Sequence, residues 1–180
     1  MRQLFATAAI VAVSGLIASA AVVATPKTSK IDPKLAAAIA APSRTPANLG
    51  RDTYRNPAGT LAFFGVKPNQ TVVELWPGGG WYTEILAPYL APNGKLIVAP
   101  PAARADGVNK FLTANPAAYG KVQVANFPAS DGATLVAPAS VDVVLTFRNV
   151  HNWRFGGADK TQDVFNQIYA MLKQIGRAHV

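Results

Sequence analysis

One segment, Val72-Val73-Glu74-Leu75-Trp76-Pro77-Gly78-Gly79-Gly80-Trp81, constrains the fold more than any other stretch of the 180 residues. A short apolar run, a proline with three consecutive glycines, and a helical pattern over Trp81 to Leu90 predict a strand, a sharp turn and a helix. Such a turn lets backbone N–H groups come close to a ligand at the helix N-terminus. Three adjacent glycines cost chain entropy that turn-making alone rarely requires, although a tight strand-to-helix turn can demand glycine by itself. The segment is not a Walker phosphate loop, because no Gly-Lys-Ser/Thr follows at the required spacing. It also breaks the dinucleotide fingerprint G-x-G-x-x-G, since Thr83 stands where the third glycine belongs.

The rest of the chain repeats the strand–helix rhythm. Lys95 to Ala99, Val122 to Ala125 and Val141 to Phe147 read as three further strands, and about Asp106 to Ala114 and Lys160 to Leu172 as helices. Short apolar strands alternating with helices predict an α/β fold with parallel strands joined by right-handed crossovers. Ahead of it, Asp32-Pro33 starts an Ala-rich helix to about Ala41, Asn48 to Arg55 reads as a second helix, and Asn56-Pro57 caps a third. Asp52 and Arg55 are spaced to face each other on the second. These helices are expected to form a lid ahead of the sheet.

The termini are read differently. Arg2, the apolar run Leu4 to Ile17 and the small residues up to Ala24 predict a secretory signal peptide over 1–24 and a periplasmic or secreted protein. The run is short for a membrane span of ~20 residues, although an uncleaved anchor is the alternative. Residues 25–65 then form linker and lid, and 66–172 the α/β domain. Residues 173–180 end without a cap or closing strand and look like a translated adapter read-through, a natural terminus being the alternative. The absence of Cys removes disulfide frameworks, Cys-based zinc sites and thiol nucleophiles, and with only two His no metal centre is expected. The net charge of +8 is dispersed, without the basic face and aromatic partners of a nucleic-acid binder.

The run Glu74-Leu75-Trp76-Pro77-Gly78-Gly79-Gly80 resembles motif I of the class I S-adenosylmethionine-dependent methyltransferases, E/D-x-G-x-G-x-G. Together with Leu145 to Trp153 (LTFRNVHNW) it is similar to a family of exported bacterial methyltransferases, over about Asp32 to Leu172. The resemblance implies a Rossmann-like sheet in the order 3-2-1-4-5-7-6 flanked by helices. Only four of those strands are legible, so the carboxyl-terminal strands are expected to be missing and Val141 to Phe147 to lie at an open edge. It implies S-adenosyl-L-methionine as cofactor, with Pro77, Gly78, Gly79 and Gly80 under its methionine end and Glu74 orienting the loop or merely capping it. Asn126 and Asp131 are weaker candidates for the adenine edge, or ordinary turn residues. Two departures stand out. Trp76 replaces the first motif glycine, and the second strand ends in Ala99-Pro100-Pro101 rather than in an acid for the ribose.

Open α/β sheets bind ligands beyond the carboxyl ends of their strands. Arg148, Asn149, His151, Asn152 and Trp153 are therefore expected on a loop where acceptor and methyl donor meet. His151 suits a general base, with a reference pKa of ~6.5, or a loop hydrogen-bonder. Trp153 suits stacking on a planar or cationic group. The expected function is methyl transfer to an unknown small-molecule or other acceptor. A non-catalytic periplasmic binding protein on the same fold is the alternative, and a nicotinamide-dependent oxidoreductase is more distant.

Overall fold

The computed structural model describes residues 31–129, 136–155 and 157–180. The expected signal peptide over 1–24, the first linker residues and Asp131 lie outside these residues.

Four short helices lead the described chain: α1 (Pro33–Ile39), α2 (Pro46–Leu49), α3 (Asp52–Arg55) and α4 (Pro57–Phe63). Their starts follow from capping chemistry. The Asp32 carboxylate accepts from the Lys34 N–H and Pro33 occupies N1 of α1. Asn56, at φ 41, ends α3 in the left-handed region while its side chain accepts from the Gly59 N–H to start α4. The single helix expected over Asn48 to Arg55 is two, interrupted at Gly50 and Arg51. Asp52 does not face Arg55; it is drawn instead to the buried Arg44, at 2.6 Å.

The sheet is built from β1 (Thr71–Leu75), β2 (Lys95–Ala99), β3 (Gln123–Val124), β4 (Val141–Thr146) and β5 (Leu172–His179), in the order β3-β2-β1-β4-β5, with every neighbouring pair parallel. Helices α5 (Thr83–Leu90), α6 (Ala105–Thr113), α7 (Pro116–Tyr119), α8 (Val150–Phe155) and α9 (Thr161–Met171) make the crossovers. Alternation along the central strands splits the core in two. Val72, Leu96, Val98, Val143 and Leu145 pack with α1, α4 and α5, whereas Val73, Leu75, Ile97 and Val144 pack with Trp153, Val164 and Ile168 of α8 and α9. The lid helices therefore cover the α5 side of the sheet.

The fifth strand corrects the expected open edge and the expectation that residues 173–180 close no strand. Leu172–His179 pairs in parallel with Val141–Leu145, so β4 is internal and β5 is the edge. Helix α9 passes directly into it, with Leu172 already extended at φ -72, ψ 139. Its sequence, LKQIGRAH, carries too few apolar residues to read as a strand, because most of its side chains are exposed. His179 stacks on Phe64 of the lid at 4.2 Å, so this segment is packed against the fold.

Candidate functional site

Strand β1 has β2 on one side and β4 on the other, so the strand order reverses at its carboxyl end. That is where open α/β sheets place ligands. The chain leaves β1 through Trp76 at φ 51, Gly78 at φ 60 and Gly80 at φ 74 before entering α5. The left-handed region is cheap for glycine and strained for tryptophan, which gives a physical reason why glycine suits the Trp76 position. Trp76 is held there by three contacts. Its N–H donates to the Ala99 carbonyl at 2.9 Å, its indole Nε1 donates to the Phe127 carbonyl at 2.8 Å, and its ring meets Trp153 edge-on at 6.1 Å.

Three adjoining cavities surround the turn and share Pro77 and Gly78. The first, about 310 Å³, runs from Trp76 past Pro100, Pro101 and Arg104 to Asn149 and Asn152. The second, about 490 Å³, lies between Gly78–Gly80 with Thr83 and the Arg104–Phe111 side of α6. The third, about 190 Å³, opens toward the lid between Glu74, Gly79, Tyr82 and Phe147 on one side and Arg51 and Arg55 on the other. A Cβ built on Gly78 or Gly79 would meet nothing within 4 Å, whereas one on Gly80 would lie 3.0 Å from the Phe111 ring. Gly78 and Gly79 thus present bare backbone to open space.

Glu74 is 2 % exposed and accepts a 2.6 Å hydrogen bond from the Thr83 hydroxyl, tying β1 to the first turn of α5. Burial pushes its carboxyl up to about 7, against the smaller opposing pull of that hydroxyl. The folded value lies above the ordinary 4.5, so the folded chain holds this proton more tightly, and the stability this group contributes is fully present below pH 4.5. Stability is then lost as pH rises through about 7. In Glu74→Gln an amide oxygen still accepts from Thr83 but cannot ionise. Chemical denaturation at pH 4.5, 6 and 8 is expected to show that the variant lacks the stability loss that Glu74 imposes on wild type as pH rises. At pH 8 the variant should exceed wild type by roughly 1–2 kcal/mol, less than the full shift because the adjoining cavity admits water. Parallel profiles for the two proteins would refute the assignment.

The residues expected after β4 are placed unequally. They lie on the short helix α8 and the turn before it rather than on an open loop. Asn149 and Asn152 line the first cavity, and Asn149 also the third. The Asn149 amide donates to Thr146 Oγ1 at 2.8 Å and reaches the Leu75 carbonyl at 3.4 Å, so it joins the carboxyl ends of β4 and β1. Trp153 is 3 % exposed and packs among Trp76, Phe127 and Phe165; burial in the second core removes it as a stacking surface for a ligand. His151 is exposed on α8 and lines none of the three cavities. Asn126 lies away from the glycine turn, in a separate small cavity with Phe127, Gln167 and Met171, because β3 ends after two residues and the chain turns toward α9. Arg148 stands at φ 61 on the turn.

Arg51, Arg55, Arg104, Tyr82 and Phe147 complete the lining and were not singled out by the sequence. Arg104, five residues beyond β2, had a positional signal, since it follows the strand at whose carboxyl end a ribose ligand is expected. Arg51 and Arg55 had none, because only the folding of the lid brings them to the glycine turn. Among the described residues no group of three or more His, Asp or Glu gathers to hold a metal.

No known family model matches the chain, and no curated protein does. Among solved structures, it is similar to an S-adenosylmethionine-dependent methyltransferase from Aquifex aeolicus, with a TM-score of 0.56 at 17% identity over 69% of this chain and 62% of that one. It is also similar to coclaurine N-methyltransferase bound to N-methylheliamine and S-adenosylhomocysteine, with a TM-score of 0.50 at 15% identity over 77% of this chain and 37% of that one. The chain thus spans about three fifths of the length of the first and less than half of the second. At these identities the likeness is one of architecture: the chain has the Rossmann-like fold of S-adenosylmethionine-dependent methyltransferases.

Proposed function

We propose that this chain binds S-adenosyl-L-methionine against Gly78–Gly80 and serves methyl transfer to a small-molecule acceptor. The observation that carries this reading is the bare backbone of Gly78 and Gly79, facing open cavities at the point where strand order reverses. When bound, the cofactor supplies an electrophilic methyl group on a sulfonium. The residues that would hold it are Pro77 to Gly80 of the turn, Asn149 and Asn152 opposite, and Pro100 to Arg104 beyond β2. Glu74 sets the turn from below through Thr83. The protein's task in this chemistry is positioning, since holding donor and acceptor in line replaces an unfavourable bimolecular encounter.

The fit is complete on the glycine side and sparse beyond β2. Among the described residues no carboxylate lines the first or second cavity, so the ribose hydroxyls would lack a bidentate acceptor there. Each such buried bond contributes ~1–3 kcal/mol, which favours weak rather than tight cofactor binding. The leader-like residues 1–24 support an exported, periplasmic or secreted setting. Calorimetric titration of the full chain with S-adenosylhomocysteine tests the reading: a saturable one-site isotherm is expected, and no heat over background would overturn it. Binding without methylation of any acceptor would support the non-catalytic alternative on the same fold.

A further inference from the structure

The geometry of the lid-side cavity points to an acceptor that is a small anion with a flat apolar body, of the aromatic carboxylate class, held by Arg51 and Arg55. This rests on the methyl-transfer reading and names the acceptor chemistry for that site. Arg51 and Arg55 line the cavity opposite Tyr82 and Phe147, whose rings stack at 3.9 Å and offer an apolar wall. Arg55 is placed by its position over the Trp81 ring, 5.0 Å from the centroid. Arg148, at φ 61 on the turn after β4, lies outside this lining.

Both guanidiniums belong to the lining of this one cavity. Burial first, then Arg51, and also Arg148, lower the pKa of Arg55. Like charges gathered without a counter-ion oppose folding, and guanidinium forks match carboxylate and phosphate oxygens. The ion pairs among the described residues are Arg44–Asp52, Arg44–Glu84 and Lys173–Asp142, so neither Arg51 nor Arg55 is paired with an acid among them. Asp52, the nearest acid in sequence, is already committed to Arg44 at 2.6 and 2.8 Å and to the Trp81 indole at 3.1 Å. Glu74, the carboxyl group that lines this cavity, titrates about neutrality and is engaged by Thr83.

Charge balance then separates acceptor from donor. S-adenosylmethionine carries a sulfonium, an ammonium and one carboxylate, a net charge of +1. Its single carboxylate cannot balance both guanidiniums, and its two cationic groups add to the excess. A second molecule that brings negative charge meets this excess.

The test uses the full chain, saturated with S-adenosylhomocysteine, titrated with 4-hydroxybenzoate and with the uncharged 4-hydroxybenzamide. The acid is expected to bind about tenfold or more tightly than the amide, as charge-assisted bonds are lost with the carboxylate. Its affinity should fall with added salt. Arg51→Gln and Arg55→Gln, at the two arginines of the lining, should each weaken the acid by roughly three- to tenfold while S-adenosylhomocysteine affinity stays within about twofold. Equal affinity for acid and amide, or no binding of the acid, overturns the inference. Parallel losses of S-adenosylhomocysteine and acid in the variants also overturn it, because the arginines would then serve the donor's carboxylate. Binding of the acid by a chain that ignores S-adenosylhomocysteine would sink the methyl-donor reading and leave the anion site standing.

Discussion

Replacing Arg44 with methionine is expected to destabilise the fold by about 3–5 kcal/mol, the cost typical of removing one partner from a buried ion pair. Arg44 is 3 % exposed. Its guanidinium donates to both oxygens of Asp52 at 2.6 and 2.8 Å and to the Ile39 carbonyl at 2.7 Å, with Nε 3.9 Å from Glu84. Glu84 is fully buried on α5 and accepts from the Thr45 N–H at 3.1 Å and hydroxyl at 3.0 Å. Without Arg44, Glu84 keeps its hydrogen bonds but loses its counter-ion, and the Ile39 carbonyl loses its donor. Chains of this size lose ~2–4 °C in Tm per kcal/mol, so the melting temperature should fall by roughly 6–20 °C. Arg44→Lys should recover little, because a lysine cannot grip both Asp52 oxygens. Adding Glu84→Gln and Asp52→Asn to Arg44→Met should recover part of the loss, since the stranded charges are then removed. A Tm for Arg44→Met within 2 °C of wild type would show that the lid is held by its apolar contacts alone. The same lock fixes Trp81, whose indole donates to Asn48 and Asp52, and so connects the lid to the residue that follows the glycine turn.

That lock also marks the boundary of what the sequence could reveal. Strands β1, β2 and β4 were legible because both of their faces are buried and their sequences are short apolar runs. The caps at Asp32 and Asn56 were legible because capping is local chemistry. Pairing across 39 positions, as between Thr45 and Glu84, leaves no local pattern. Asp52 was accordingly matched with Arg55, its neighbour by helical spacing, when Arg44 and Trp81 were to claim it. The edge strand β5 was missed because an exposed strand needs little apolar sequence, and α8 because six residues carry hardly two helical turns. At the site, the glycine turn could be read in advance because it demands a residue type. Neither the commitment of Trp153 to the core nor the arrival of Arg51 and Arg55 at the cavity could be read, since both depend on which elements pack together.

Gly79→Val is expected to abolish S-adenosylhomocysteine binding in a protein that still folds. Gly79 is the one residue of the three whose φ lies outside the left-handed region, so a side chain there carries no backbone penalty of that kind. Its Cβ would enter open space, and Gly79 lines both the second and third cavities, so the added isopropyl group occupies ligand volume rather than core. Overpacking a close contact costs ~1–3 kcal/mol, equivalent to a factor of roughly 5 to 150 in Kd. A ligand that must lie directly on this backbone should suffer the upper end of that range. Gly80→Val makes the informative contrast. At φ 74, with the Phe111 ring 3.0 Å from the new Cβ, it should lower Tm as well as affinity, so its loss of binding proves less about the site. Calorimetry with S-adenosylhomocysteine beside a thermal melt of each variant separates the two effects. Wild-type affinity in a fully folded Gly79→Val protein would mean that nothing binds against this turn, and the glycines would then be there only to make it.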